Sequence, residues 1–179
     1  MRVAGLFAGI GGIELGFARA GHESTLLCEI WRPARSVLAN RFPNADLAPD
    51  VTELVDLPGG TEILTAGFPC QDLSQAGRTA GIFGSRSGLV DHVFRLLDRS
   101  HTPVVVLENV LFMLHLDGGR AMARLVEAFE ERGYRWAYRV VNSLAFLPQR
   151  RQRVLFVASR CDLDPADVLF VDDAEAPDA

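Results

Sequence analysis

Cys70, Glu108 and a run of arginines near residue 150 are the side chains whose type and setting suggest covalent chemistry. Cys70 closes the segment Ile63-Leu64-Thr65-Ala66-Gly67-Phe68-Pro69-Cys70-Gln71, an apolar run that ends in Pro-Cys and gives way to a polar stretch. An ionised thiol in such a place is a nucleophile, and Pro69 restricts the backbone just ahead of it. The plain alternative, a small buried hydrophobe, is the usual fate of a lone cysteine; the polar residues that follow argue against it. Glu108 continues the apolar run 103–107 into Glu108-Asn109-Val110. A carboxylate there is expected to be partly buried and able to hold or share a proton near neutral pH, although taken alone a capping or salt-bridging acid is the simpler reading. Pro148-Gln149-Arg150-Arg151-Gln152-Arg153 precedes a last apolar run. Alternation aims Arg151 and Arg153 to the same side, whereas in isolation a basic cluster is a solvated surface.

A second constellation suits a nucleoside. Phe7-Ala8-Gly9-Ile10-Gly11-Gly12 follows the first apolar run and opens a helical pattern. Glycine there permits a sharp turn and a close approach by a ligand. Glu29 comes eighteen residues after Gly11, at the end of the second apolar run, where a carboxylate accepts hydrogen bonds from both hydroxyls of a ribose. Ile30 can press on a flat adenine, and Asp50, near the end of a third candidate strand, can hold its amino group. The turn lacks the spacing and the lysine of a phosphate-gripping loop, which favours an adenosyl ligand without a diphosphate.

These residues need a scaffold that brings strand ends together. Runs 3–7, 25–30, 63–66, 104–107 and 154–158 read as buried strands. Segments 13–20, 34–41, 89–99 and 121–132 read as helices, with Gly21 and Gly133 as stop signals just past two of them. Strand–helix alternation predicts a doubly wound α/β sheet with helices on both faces and ligands at the carboxyl ends of the strands. Residues 69–88, rich in Gly, Ser, Gln and Thr, read as a long loop, of a length that is functional or disordered in compact domains. Residues 1–160 form the expected catalytic and cofactor-binding domain; 161–179 read as a frayed acidic tail around a small apolar island at 168–171.

The 179 residues suffice for one domain with a hydrophobic core, and 49% apolar with 23% charged residues is globular composition. No run approaches the roughly 20 apolar residues of a membrane span, and the glycine-rich start lacks the layout of a signal peptide. A cytoplasmic protein is expected. Cys28, Cys70 and Cys161 are too few and too scattered for a disulfide framework or a zinc site. The net charge of -5 comes from the end of the chain: residues 161–179 hold seven acids and no base, which leaves 16 acids against 18 bases in residues 1–160. All 18 bases are arginine, the side chain suited to forked contacts with phosphates and base edges.

Taken in order, FAGIGGIELG, GFPCQDLSQAG, ENV and QRRQRV resemble the cytosine-5 DNA methyltransferase family over about residues 1–160. The resemblance implies a Rossmann-like S-adenosylmethionine-dependent methyltransferase sheet, S-adenosyl-L-methionine as cofactor and double-stranded DNA as substrate, as in restriction-modification. Phe7, Ala8, Gly9, Gly11 and Gly12 resemble the cofactor turn, Glu29 the ribose-binding acid with Ile30 beside it, and Asp50 with Val51 the adenine-contacting pair; Pro69 borders the same pocket. Cys70 resembles the nucleophile. Glu108 resembles the acid at the cytosine ring nitrogen and amino group. Arg151 and Arg153 resemble the arginines at the target base, Arg153 being the one for its carbonyl. Gln71, Ser74, Arg86 and Ser87 fall in the family's mobile catalytic loop, and Gln149 among its DNA-contacting residues. Where members often carry Trp after the ribose-binding Glu, this chain has Ile30. Members of ordinary size continue past QRRQR into a target-recognition region and two further segments. The expectation is therefore a split subunit served by a second polypeptide, or a fragment, with weak cofactor and bare-DNA binding of its own. Two other readings stay open: cytosine methylation in RNA, and a non-catalytic partner-binding subunit.

Overall fold

In the computed structural model, residues 1–69 and 88–170 are described. Within them, strands β1 (Arg2–Leu6), β2 (Glu23–Cys28), β3 (Asp46–Ala48), β4 (Ile63–Ala66), β5 (Val104–Val110), β6 (Arg135–Asn142) and β7 (Gln152–Ser159) form one sheet in the order β3-β2-β1-β4-β5-β7-β6. The pairs β3–β2, β2–β1, β1–β4 and β4–β5 are parallel. β7 runs antiparallel to both its neighbours. Chain order reverses between β1 and β4, so the crevice of a doubly wound sheet opens above that pair.

Alternation along the strands sends helices to both faces, as the sequence predicts. Val3, Ile63 and Val104 meet Phe17 of α1 (Gly12–Arg19), and Leu27 meets Leu38 and Phe42 at α2 (Arg32–Arg41). The intervening residues Ala4, Leu6, Leu64, Val105 and Leu107 face the other way. There they pack with Val93 and Leu97 of α3 (Leu89–Ser100) and Leu125 and Phe129 of α4 (Arg120–Glu130). Phe129 is fully buried, edge-on to Phe94 and Tyr134; truncating such a residue to alanine costs about 3–5 kcal/mol. Gly21 and Gly133 adopt positive φ just past α1 and α4, as helix-stop glycines do. No helix among the described residues is long and apolar enough to cross a membrane.

Two features differ from the sequence reading. β6 is a strand that the search for apolar runs passes over, because arginines at 135 and 139 interrupt it and it is only partly buried. Trp136 nonetheless stacks on Phe156 of β7, with ring centroids 5.7 Å apart and planes 12° from parallel. The chain after Cys161 also does not fray at once. Asp164 accepts the Ala166 N–H at 2.8 Å and caps a short helix, α5 (Pro165–Leu169). Its Leu169 is buried, and Arg139 of β6 donates to the Leu169 carbonyl. Residue 171, the last of the expected apolar island, lies outside the described residues.

Candidate active site

The crevice gathers the ends of β1, β2 and β4 into a cleft of about 240 Å³ lined by Phe7, Cys28, Glu29, Ile30, Asp50, Val51, Gly67, Pro69 and Leu89. Six of the ten residues expected to hold a cofactor are among them. The chain leaves β1 through Phe7, whose φ of 55° is unusual for a bulky side chain; strain of this kind clusters at functional sites. Glu29 ties the turn to the end of β2. Its Oε2 accepts the Gly9 N–H and its Oε1 the Trp31 N–H, both at 2.8 Å. A carboxylate oxygen has more than one acceptor site, so Glu29 is fixed by backbone and still able to receive ligand hydroxyls.

The glycines of the turn divide by task. A Cβ on Gly9 would meet nothing within 4 Å, which leaves the backbone open to a ligand. A Cβ on Gly11 would come within 2.5 Å of the Phe42 ring and 2.9 Å of Leu38, at a φ of +80°. Gly11 therefore serves the packing of α2 and begins α1 as its N-cap. Ala8, Gly11 and Gly12 do not line the cleft; Ala8 donates its N–H to the Cys28 carbonyl at 3.0 Å.

On the adenine side of the expected site, Asp50 folds into an Asx turn. Its carboxylate accepts the Thr52 N–H at 2.9 Å, a hydrogen bond that holds it below the usual range. Arg95 of α3 donates to the Val51 carbonyl at 3.2 Å and braces this segment from behind. Cys28, in the cleft wall, is buried. Desolvation pushes its thiol up to about 12, helped by the charges of Asp50 and Glu29, so it stays a thiol near neutral pH.

The base-facing side of the expected site lies one and two strands further on. Glu108 and Arg153 are diagonal neighbours across β5 and β7, since Glu108 stands opposite Leu155 and Arg153 opposite Val110. Register puts both on the α1 face of the sheet, and Arg153 Nε lies 2.7 Å from Glu108 Oε1. Glu108 Oε2 is in turn close to Gly67, where an added Cβ would stand 3.6 Å away. Arg151 is exposed just before β7, with its backbone N–H donated to the Asn142 side chain at 3.3 Å; only Arg153 of the two is brought to Glu108. Gln149 is exposed in the same connection. Cys70, Gln71, Ser74, Arg86 and Ser87 lie outside the described residues, between Pro69 and Gly88.

Two polar residues that the sequence reading left without a task support the site. Asn109 is buried and donates from Nδ2 to the Phe68 carbonyl at 2.9 Å, fixing the backbone two residues before Cys70. Its place in Glu108-Asn109-Val110 was the available signal. Glu14 of α1 is 2% exposed and enters the space that a side chain on Gly5 would fill, with Oε1 2.5 Å from that ideal Cβ. The Thr65 hydroxyl donates to Oε1 at 2.6 Å, while Oε2 has no partner. Desolvation raises its pKa above the ordinary value. No pattern in the sequence marks Glu14, because an acid in the first turn of a helix is ordinary.

Sequence comparison with known proteins points to one family. A family model described as C-5 cytosine-specific DNA methylase matches residues 1–177. Type II methyltransferase M2.BsuMI of Bacillus subtilis (strain 168) is 46% identical over 183 residues, which take in 99% of this chain and 46% of the relative. Type II methyltransferase M.PspPI of Psychrobacter sp. is 36% identical over 163 residues, 88% of this chain and 39% of that one. The chain thus spans less than half the length of these two relatives. Among solved structures, the S. pombe Dnmt2 methyltransferase aligns with a TM-score of 0.72 over 98% of this chain and 57% of its own, and at 18% identity that likeness supports the fold.

Proposed function

The chain belongs to the C-5 cytosine-specific DNA methylase family, and we propose that it transfers a methyl group from S-adenosyl-L-methionine to carbon 5 of a cytosine in double-stranded DNA. The observation that carries this reading is the Glu108–Arg153 pair, 2.7 Å apart at the carboxyl edge beside Gly67. It offers a carboxyl and a guanidinium to adjacent edge atoms of one pyrimidine.

The residues present fit the cofactor. The open backbone at Gly9 and the doubly anchored Glu29 suit an adenosyl ribose, and Ile30, Asp50 and Val51 suit its adenine. S-adenosylmethionine, when bound, supplies the electrophilic methyl group that carbon 5 takes up.

The chain's own residues make the ring reactive. Carbon 5 of cytosine is a poor nucleophile until the Cys70 thiolate adds to carbon 6 and turns the ring into an enamine. Glu108 favours the addition by hydrogen bonding or protonation at the ring nitrogen. Arg153 stabilises charge developing on the carbonyl oxygen. After methyl transfer, a base, water in our reading, removes the carbon-5 proton and the Cys70 thiolate leaves. Since carbon 6 is inaccessible in a stacked duplex, the cytosine must be flipped out, at a cost of a few kcal/mol. Gln71, Ser74, Arg86 and Ser87 are assigned to the loop that closes over DNA, and Gln149 and Arg151 to its margin.

We assign the choice of target sequence to polypeptide other than residues 1–160, on a second chain or on further residues of this one. From the bacterial Type II relatives we infer a cytoplasmic reaction and restriction-modification as its setting. The test is covalent trapping on duplex DNA containing 5-fluorocytosine, which cannot lose its carbon-5 substituent, with matched RNA as comparison. A Cys70-dependent adduct with DNA is expected. An adduct with RNA alone would overturn the substrate assignment, and one that survives Cys70→Ser would overturn the nucleophile.

A further inference from the structure

The connection between β6 and β7 has an unusual surface for a loop at a sheet edge. Leu144, Phe146 and Leu147 are 49%, 77% and 57% exposed. Their backbone is nevertheless closely tied. Ser143 donates from its N–H to the Arg151 carbonyl at 3.1 Å and from its hydroxyl to the Gln149 carbonyl at 2.6 Å. Asn142 Oδ1 accepts the N–H groups of Leu144 and Arg151, and the Ser143 carbonyl accepts those of Phe146 and Leu147. A hydrogen-bonded frame thus presents three apolar side chains to solvent, and an exposed apolar cluster of this kind marks an interaction surface.

Charge and position select the partner. Residues 143–153 contain Arg150, Arg151 and Arg153 and no acid, so the apolar tip has a cationic rim. Because Val141, Arg153 and Val110 are aligned across β6, β7 and β5, the loop leaves the sheet at the same edge as the Glu108–Arg153 pair. Duplex DNA is the complement of such a surface, with anionic phosphates outside and apolar base faces within reach of a wedging side chain.

We propose that the β6–β7 loop is a DNA-contacting wedge, with Phe146 pressed between base steps beside the target cytosine and Arg150 on a flanking phosphate. This rests on the DNA-methylation reading. An apolar wedge fills the gap left by a base that leaves the stack, or holds the neighbouring step unstacked.

The experiment measures binding of the 179-residue chain to fluorescein-labelled mixed-sequence duplex at low ionic strength, where phosphate contacts are strongest. Phe146→Ala is expected to weaken binding about tenfold, as loss of base–aromatic stacking does, and Phe146→Trp to restore it. Arg150→Gln should lower the salt slope by about one. S-adenosylmethionine affinity unchanged in Phe146→Ala reports an intact fold. Duplex binding by Phe146→Ala equal to wild type overturns the proposal and leaves the apolar tip to a polypeptide partner. A wild type that binds duplex but forms no 5-fluorocytosine adduct, alone or together with a polypeptide that carries a recognition region, overturns the methylation reading alone, while the Phe146 comparison still judges the wedge. A wild type that binds no duplex overturns the wedge and leaves the methylation reading to the trapping experiment.

Discussion

The two ends of the carboxyl edge are built on different principles. On the β1–β2 side, Glu29 is held by two backbone N–H groups, from Gly9 and Trp31, so main-chain geometry fixes the carboxylate. On the β5–β7 side, Glu108 is held by the side chain of Arg153 across a strand pair. A main-chain anchor survives most substitutions around it and gives a preset pocket for neutral hydroxyls. A side-chain anchor depends on one residue at one register, and it brings charge where a reacting ring needs it. Binding and reaction should therefore fail separately.

The largest effect is expected at Cys70. Cys70→Ser should abolish the 5-fluorocytosine adduct and methyl transfer while S-adenosylmethionine affinity, measured by calorimetry, stays as in wild type. Cys28→Ser and Cys161→Ser should still trap DNA, and the elevated Cys28 thiol should resist alkylation near neutral pH. Next, Glu108→Gln should slow methyl transfer by about 10²–10⁴-fold, the range for a positioned proton-transfer group, again with little change in cofactor affinity. Loss of cofactor binding in this variant would break the separation of the two ends.

Glu29→Ala should act in the opposite sense. Removing a carboxylate that receives charge-assisted hydrogen bonds costs about 1.5–3 kcal/mol, so S-adenosylmethionine should bind roughly 10–100-fold more weakly. Equal affinity in the two proteins would remove Glu29 from the site.

The legibility of the molecule follows the same division. β1, β2, β4, β5 and β7 announce themselves as continuous apolar runs because each is covered on both faces. β6 is half-buried and carries arginines, so its pairing with β7, rather than its own composition, makes it a strand. Six of the nine cleft residues, Phe7, Glu29, Ile30, Asp50, Val51 and Pro69, could be read from the chain because they follow strand ends. The resemblance favoured Arg153 over Arg151, but the pattern of the chain could not separate them, because that depends on where β7 begins, and strand boundaries are the least certain part of a pattern. Glu14 was hidden for another reason: the hole it fills is made by Gly5 on a different element, and the missing side chain is visible only in three dimensions.

The smallest predicted effect concerns that buried acid. Its folded pKa lies above the ordinary 4.5, so the folded state holds a proton that the unfolded chain gives up earlier. Its contribution to stability is fully present below the ordinary glutamate value and is lost as pH rises through the folded value. Glu14→Gln keeps an acceptor for Thr65 without the ionisation. In denaturant titrations it should flatten this part of the pH dependence and be at least as stable as wild type near neutrality. A steeper loss of stability with pH in the variant would show that Glu14 is ionised and paired in the folded protein.

The reversal of β7 also bears on how the chain can be assembled as it leaves the ribosome. The parallel strands bring their last residues to the site, so each is in place once the strand itself is complete. β7 brings its beginning: Arg153 is aligned on Val110 by pairs that run back to Ser159 on Val104. The arginine is thus positioned by residues synthesised after it, and Glu108 must wait, already paired with nothing but solvent on that side, until the rest of β7 has emerged. A one-residue slip during that late pairing would turn the guanidinium to the opposite face, so β7 acts as an alignment check on the Glu108–Arg153 pair.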